Sequence, residues 1–247
     1  MGLYLYGILK DTEQSYLEQW GMQGMDAAPV LSQHIPPFLI LYSETDSERY
    51  LASRTNLLTH EQVLESLMKA IPNDRAVPLP LQFGLVVDSW AQVEAELIQP
   101  HQARLLALLE KLVGKCEVGV KVFWQAEAEL NWLVEQNPIL AAKRNTLSGK
   151  ILSMDEAIAI GQELESALYD RQQLIINTFL GELQPLCEEY VEGELLTDNM
   201  VCNYAFLIKT ELEPEFAQTV EKLDTHFGKR YRIRYNNFTA PYNFVSI

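Results

Sequence analysis

The sequence predicts an α+β fold in two domains, on three observations. A chain of 247 residues exceeds the usual single-domain size and favours two units of roughly 110 to 135 residues, each able to bury a core. Lys115–Trp124, KCEVGVKVFW, alternates with period two: Cys116, Val118, Val120, Val122 and Trp124 point one way, and Lys115, Glu117, Gly119, Lys121 and Phe123 the other. The character of the chain changes at that strand, from a long amphipathic helix ending near Gly114 to an alternation of strands and helices. The boundary is therefore placed between an N-terminal α+β domain, 1–113, and a C-terminal domain, 114–247.

In chain order, Leu3–Leu9 reads as a strand at a sheet centre or edge, followed by a short helical stretch near 13–20. Phe38–Tyr42, a continuous apolar run after Pro36-Pro37, reads as a second buried strand. Thr59 with Gln62 forms a capping box opening a helix with Val63, Leu64, Leu67, Met68 and Ile71 on one face, stopped by Pro72. Residues 76–83 carry Pro78 and Pro80 and fit an edge strand or an extended loop. Ser89 with Gln92 opens another helix, which Pro100 should kink or split.

After Trp124 comes a helix-rich region, 126–184, interrupted at Pro138 and restarted by the capping box Ser153/Glu156. The loop 143–150 is polar. Strands at 187–195 and 201–209 follow, then a helix at 214–227 with Pro214 at its start and Gly228 past its end, a last strand at 229–235 and a tail, 236–247. Strand, helix, strand, strand, helix, strand is the order of a modified ferredoxin-like βαββαβ sheet, here with a long helical insertion. It places Lys115–Trp124 inside the sheet, between the last strand and the third.

The formal net charge of −15 argues against nucleic acid or anionic lipid as partner. Cys116, Cys187 and Cys202 cannot all pair within one chain and form no CxxC motif, which fits a reducing cytoplasm. No signal peptide, membrane-spanning run or myristoylation pattern is expected.

The motifs that carry chemistry fail one by one. His60-Glu61 begins an HExxH zinc frame, but Leu64 stands where the second histidine belongs, leaving a solvent-exposed pair near a helix start. Ser148-Gly149-Lys150 lacks the first glycine of a phosphate loop, since Arg144 occupies its place. The paired carboxylates Glu127/Glu129, Asp155/Glu156, Glu163/Glu165 and Glu188/Glu189 read as solvated faces, and Cys187 and Cys202 as buried structural thiols. No catalytic residue, metal ligand or cofactor site is expected.

The distinctive local feature is the C-terminal strand, which has no acidic residue after Asp224. Arg230, Arg232 and Arg234 share one face, and Tyr231, Ile233 and Tyr235 the other. Stacking on RNA is disfavoured by charge and by the missing RNP1 pattern. A sheet face balanced by acidic neighbours and a protein-docking strip remain. Glu188, Glu192 and Glu194 fall on the opposite edge strand, roughly 14 Å away, so the arginines should meet another molecule or another part of the chain, such as the acidic helical region.

Five segments in order, LYLYGIL, THEQVLESLM, AVPLPLQFG, LVGKCEVGVKVFW and NNFTAPYNFV, resemble the gas vesicle protein F/L family over almost the whole chain. The family commonly ends in Gly-Pro-aromatic-Pro-Pro-Tyr-x-Phe. Here Thr239-Ala240-Pro241-Tyr242-Asn243-Phe244 keeps only Pro241, Tyr242 and Phe244, enough for an aromatic plug packed back on its domain. The resemblance implies a cytoplasmic, vesicle-associated, non-enzymatic accessory or minor structural protein. It would bind the small hydrophobic shell protein, and other gas vesicle accessory proteins, during assembly. Arg230, Arg232, Arg234, Tyr242 and Phe244 are the candidate docking residues. The residues alone also allow a ligand-sensing regulatory module, because ferredoxin-like domains often bind small molecules.

Overall fold

The computed structural model describes residues 2–17, 20–72, 77–147 and 153–246, the side chains of residues 126, 143, 146 and 147 excepted. The segment Ser148-Gly149-Lys150 and residues 18–19 of the expected first helix thus lie outside the described residues. Contacts group the chain into two compact units. The first comprises Met1–Val118, Phe206–Glu213 and Asn236–Ile247; the second comprises Gly119–Ala205 and Pro214–Tyr235.

The first unit is built on β1 (Gly2–Lys10), β2 (Leu31–Ile35), β3 (Phe38–Thr45), and the two-residue strands β4 (Leu79–Pro80) and β5 (Val86–Val87), with β1 paired to β3, β4 and β5. The sheet runs β2-β3-β1-β4, so Pro80 sits on an edge strand, where its missing N–H leaves no gap in a ladder. β2 and β5 were not anticipated. β2 (LSQHI) is mostly exposed and pairs along one side only, so its apolar signal is thin.

Helices α1 (Gln14–Leu17) and α2 (Arg54–Ala70) belong to this unit. α2 starts at the N-cap Ser53, whose Oγ accepts from the Asn56 N–H, and not at Thr59. Thr59 Oγ1 instead donates back to the Thr55 carbonyl. α2 buries Val63, Leu64 and Leu67. The close approach is made at Gly7, where a Cβ would lie 2.8 Å from the Leu79 carbonyl oxygen and 2.9 Å from Leu64 Cδ2. α3 (Trp90–Gln92) is capped by Ser89 as expected. It passes through a π-helical turn, Val93–Ile98, into α4 (Gln99–Lys111). This split falls just before Pro100, and the Gln99 N–H reaches back five residues to the Glu94 carbonyl.

The remaining strands are β6 (Lys115–Trp124), β7 (Glu189–Glu192), β8 (Met200–Lys209) and β9 (Tyr231–Thr239), in one antiparallel sheet of order β7-β8-β6-β9. β6 therefore lies between β9 and β8, as the order of elements predicts, and β7 and β9 form the two edges. β9 runs four residues into the predicted tail.

The helices of the second unit are α5 (Ala126–Gln136), α6 (Pro138–Leu147), α7 (Met154–Leu183) and α8 (Glu213–Phe227), whose first residue is assigned to the other unit. The break at Pro138 and the Ser153/Glu156 capping box stand as predicted. The C-terminal part of α7 is buried through Ile175, Phe179 and Leu183, and α8 through Phe216, Val220, Leu223 and Phe227. Phe179 stacks on Phe227 at 5.4 Å, and Phe216 on Tyr235 at 6.0 Å. The first turns of α7 are different: residues 153–159 are all exposed, Met154 at 81% and Ile158 at 51%.

Candidate functional site

Gly228, at φ 64°, ends α8, and Gly228–Arg230 forms a tight 3₁₀ turn before β9. Arg230 is consequently in the turn and does not share the strand face of the other two arginines. In β9, Arg232 and Arg234 are exposed, while Tyr231 on the alternate side is buried. The guanidinium carbons of Arg232 and Arg234 lie 4.9 and 5.2 Å from the Phe123 ring centroid. Phe123, on β6, is only 7% exposed. Two cations thus roof an aromatic ring that would otherwise face water.

Arg230 has a different environment. Its Nη1 donates to Glu129 Oε2 at 2.9 Å, while Arg171 Nε of α7 donates to Glu129 Oε1 at 2.7 Å. Both guanidiniums also lie over the Trp132 ring, at 4.2 and 4.4 Å. Glu129 is fully buried, which overturns its reading as half of a solvated carboxylate pair. An isolated carboxylate could not be buried at this cost; two charge-assisted bonds make it tolerable. Burial, and the Glu129 carboxylate beside it, push the Tyr231 phenol well above its ordinary range. The arginine cluster does meet the acidic helical region, among the described residues through Arg230 alone.

Tyr242 and Phe244 face inward within the first unit. Phe244 is 6% exposed, with Lys111 Nζ 5.9 Å from its ring centroid. Tyr242 is half-buried, its ring 6.1 Å from that of His60. Glu117 holds the tail, accepting the Asn243 backbone N–H at 2.8 Å and its Nδ2–H at 2.6 Å. Burial raises the Glu117 pKa, and these two donors act against that rise. The tail therefore forms the expected plug, and its two rings have inward contacts that a docking role would have to displace.

His60 is buried, at 1% exposure, and not a surface residue, because α2 begins a turn and a half before it. Tyr4 Oη donates to His60 Nδ1 at 2.9 Å and accepts from the Gly84 N–H, while His60 Nε2–H donates to the Leu81 carbonyl at 3.2 Å. Burial lowers the His60 pKa to about 4, so the ring is neutral. Beside it, the Met25 N–H donates to Tyr6 Oη, Tyr6 donates to Ser43 Oγ, and Ser43 donates to the Pro29 carbonyl. Every polar atom in both chains has a partner, the mark of a rigid core network.

Cys116 and Cys202 are buried, and burial pushes each thiol up to about 12. Cys187 is only half-buried and follows a 3₁₀ turn, outside the strand expected there. Among the described residues, no three His, Cys, Asp or Glu side chains are grouped to hold a metal ion, and no helix is long and apolar enough to cross a membrane.

Sequence reasoning missed Glu129, Trp132 and Phe123. Phe123 could have been found from strand alternation, which places it beside Lys121 on the face that the neighbouring arginines share. Glu129 and Trp132 are three apart on one helix face, but nothing local tells a buried acid from a solvated one.

The class defined so far is a mixed helix-and-sheet protein with two antiparallel sheets. The profile of the family described as "Gas vesicle synthesis protein GvpL/GvpF" matches residues 2–246, and the chain belongs to that family. It is 49% identical to gas vesicle protein F of Dolichospermum flosaquae over 99% of this chain and 98% of that one. Against gas vesicle protein F of Haloferax mediterranei the identity is 22%, over 99% of this chain and 93% of the relative. The crystal structure of GvpF from Anabaena sp. superposes with a TM-score of 0.82 at 45% identity, covering 100% of this chain and 96% of that one. The Microcystis aeruginosa GvpF structure gives 0.80 at 44%, covering 100% and 99%.

Proposed function

We propose that this chain is a non-enzymatic accessory or minor structural protein of gas vesicles, acting in the cytoplasm. In this reading it binds the small hydrophobic shell protein, and other vesicle accessory proteins, during assembly. The observation that carries this is the family match, which runs from residue 2 to residue 246. The molecule's surface is compatible with an apolar partner: Ile139, Met154 and Ile158, exposed at 68%, 81% and 51%, lie in the helical insertion. Of the five predicted docking residues, Arg232 and Arg234 are exposed. Arg230 is engaged by Glu129, and Tyr242 and Phe244 are turned inward.

Flotation tests the role. Purified protein mixed with isolated gas vesicles should rise with them on centrifugation and co-migrate with the shell protein. Repeated recovery in the liquid below, with no co-migration, would overturn the proposal.

A further inference from the structure

Four arginines of the second unit fall into two groups. Arg171 and Arg230 share the buried carboxylate of Glu129. Arg232 and Arg234 are exposed, and the contacts they make among the described residues are with the Phe123 ring. A guanidinium with no carboxylate among the described residues keeps its planar fork of donors for one, and a carboxylate at the outer edge of β9 would draw it off the Phe123 ring, which lies on the inner neighbour β6. Both sit on β9, at one end of the order β7-β8-β6-β9, where β6 is the neighbour on one side.

We propose that the outer edge of β9 receives an extended acidic segment of a partner protein, added as a fifth strand with carboxylates at alternate positions opposite Arg232 and Arg234. This rests on the reading that the chain docks a partner protein, but not on which vesicle protein it is.

Two observations favour a peptide strand. Arg232 and Arg234 are two residues apart on one strand, hence roughly 6.7 Å apart, which is also the repeat of alternate side chains along an added strand. Opposite residues of paired strands bring their Cβ atoms to about 5 Å, within reach of an arginine–carboxylate bond. An edge strand also offers backbone groups that a peptide can pair with and a nucleic acid cannot. The net charge of −15 separates the candidates further. A long polyanion would be repelled beyond the strip, whereas a segment with two or three carboxylates meets the protein's field only at the arginines.

The probe is a fluorescent ten-residue threonine peptide with glutamate at two alternate central positions. Controls carry lysine for glutamate, or the same peptide N-methylated at alternate amides. The glutamate peptide should bind, more weakly as salt rises, and the R232S/R234S variant should bind it at least tenfold more weakly. The milder R234Q should lose about threefold. N-methylation on the pairing edge should weaken binding about as much as R232S/R234S does. Equal binding by wild type and R232S/R234S would overturn the proposal, and equal binding of the methylated peptide would overturn strand addition.

Tighter binding of an oligothymidylate would replace the peptide with nucleic acid. Self-association lost in R232S/R234S would replace it with a second copy of the chain. Flotation with vesicles but no affinity for the peptide would overturn the strand assignment and leave the vesicle role standing; peptide binding without flotation would do the reverse.

Discussion

Tyr4 of the N-terminal sheet and Arg234 of the C-terminal sheet are both polar side chains set against aromatic rings, yet their polar atoms end in opposite places. The Tyr4 hydroxyl accepts from Gly84 and donates to His60, whose other nitrogen donates to Leu81. Nothing in that chain of bonds is left to offer a partner. Arg234, like Arg232, rests on Phe123 and is exposed on an edge strand. A network satisfied internally fixes a scaffold; a charge supported by a ring, with no carboxylate among the described residues, marks a surface. Arg230 shows how little separates the two: two residues before Arg232, it is absorbed by Glu129.

If this contrast is right, changes to the internal networks should cost stability and changes to the β9 strip should cost binding. The largest effect is expected from E129A, which strands two guanidiniums that are 12% and 28% exposed. It should lower unfolding stability by about 3 kcal/mol in urea titration.

The acid limb of the stability curve comes next. The folded-state His60 pKa is lowered from 6.5 to about 4. The stability held by the neutral ring is therefore present above pH 6.5 and lost as pH falls toward 4, by roughly 3 kcal/mol at most at 1.36 kcal/mol per pH unit. Glu61, Glu65 and Glu117, whose pKa values burial raises, oppose this slope, so the His60 share is the difference between wild type and H60Q.

Y4F should cost about 2 kcal/mol, because it leaves the part-buried Gly84 N–H and the buried His60 Nδ1 without partners. The smallest effect belongs to R232S/R234S, within about 0.5 kcal/mol of wild type by thermal or urea unfolding. A large loss there would erase the contrast.

Much of this was legible in the sequence where the signal is local. Alternation in Lys115–Trp124 gave the interior strand, and Ser153/Glu156 gave the start of α7. The arginine–tyrosine alternation of 230–235 located the basic strip, though Gly228 and the turn it makes removed Arg230 from it. What depended on distant partners was not legible. Glu129 meets Arg171 and Arg230 from 42 and 101 residues away, and His60 meets Tyr4 across 56, so each looked like an ordinary surface residue on its own helix. The short strands β2 and β5 escaped because an edge pairing needs little apolar sequence of its own.

The most direct measurement is photo-cross-linking in vesicle-forming cells, with a photoreactive residue at position 234 or, for comparison, at the 77%-exposed Leu51. The account predicts a specific adduct from position 234 to an acidic segment of a gas vesicle protein, and none from position 51. No adduct at 234, or the same adducts from both positions, would contradict it.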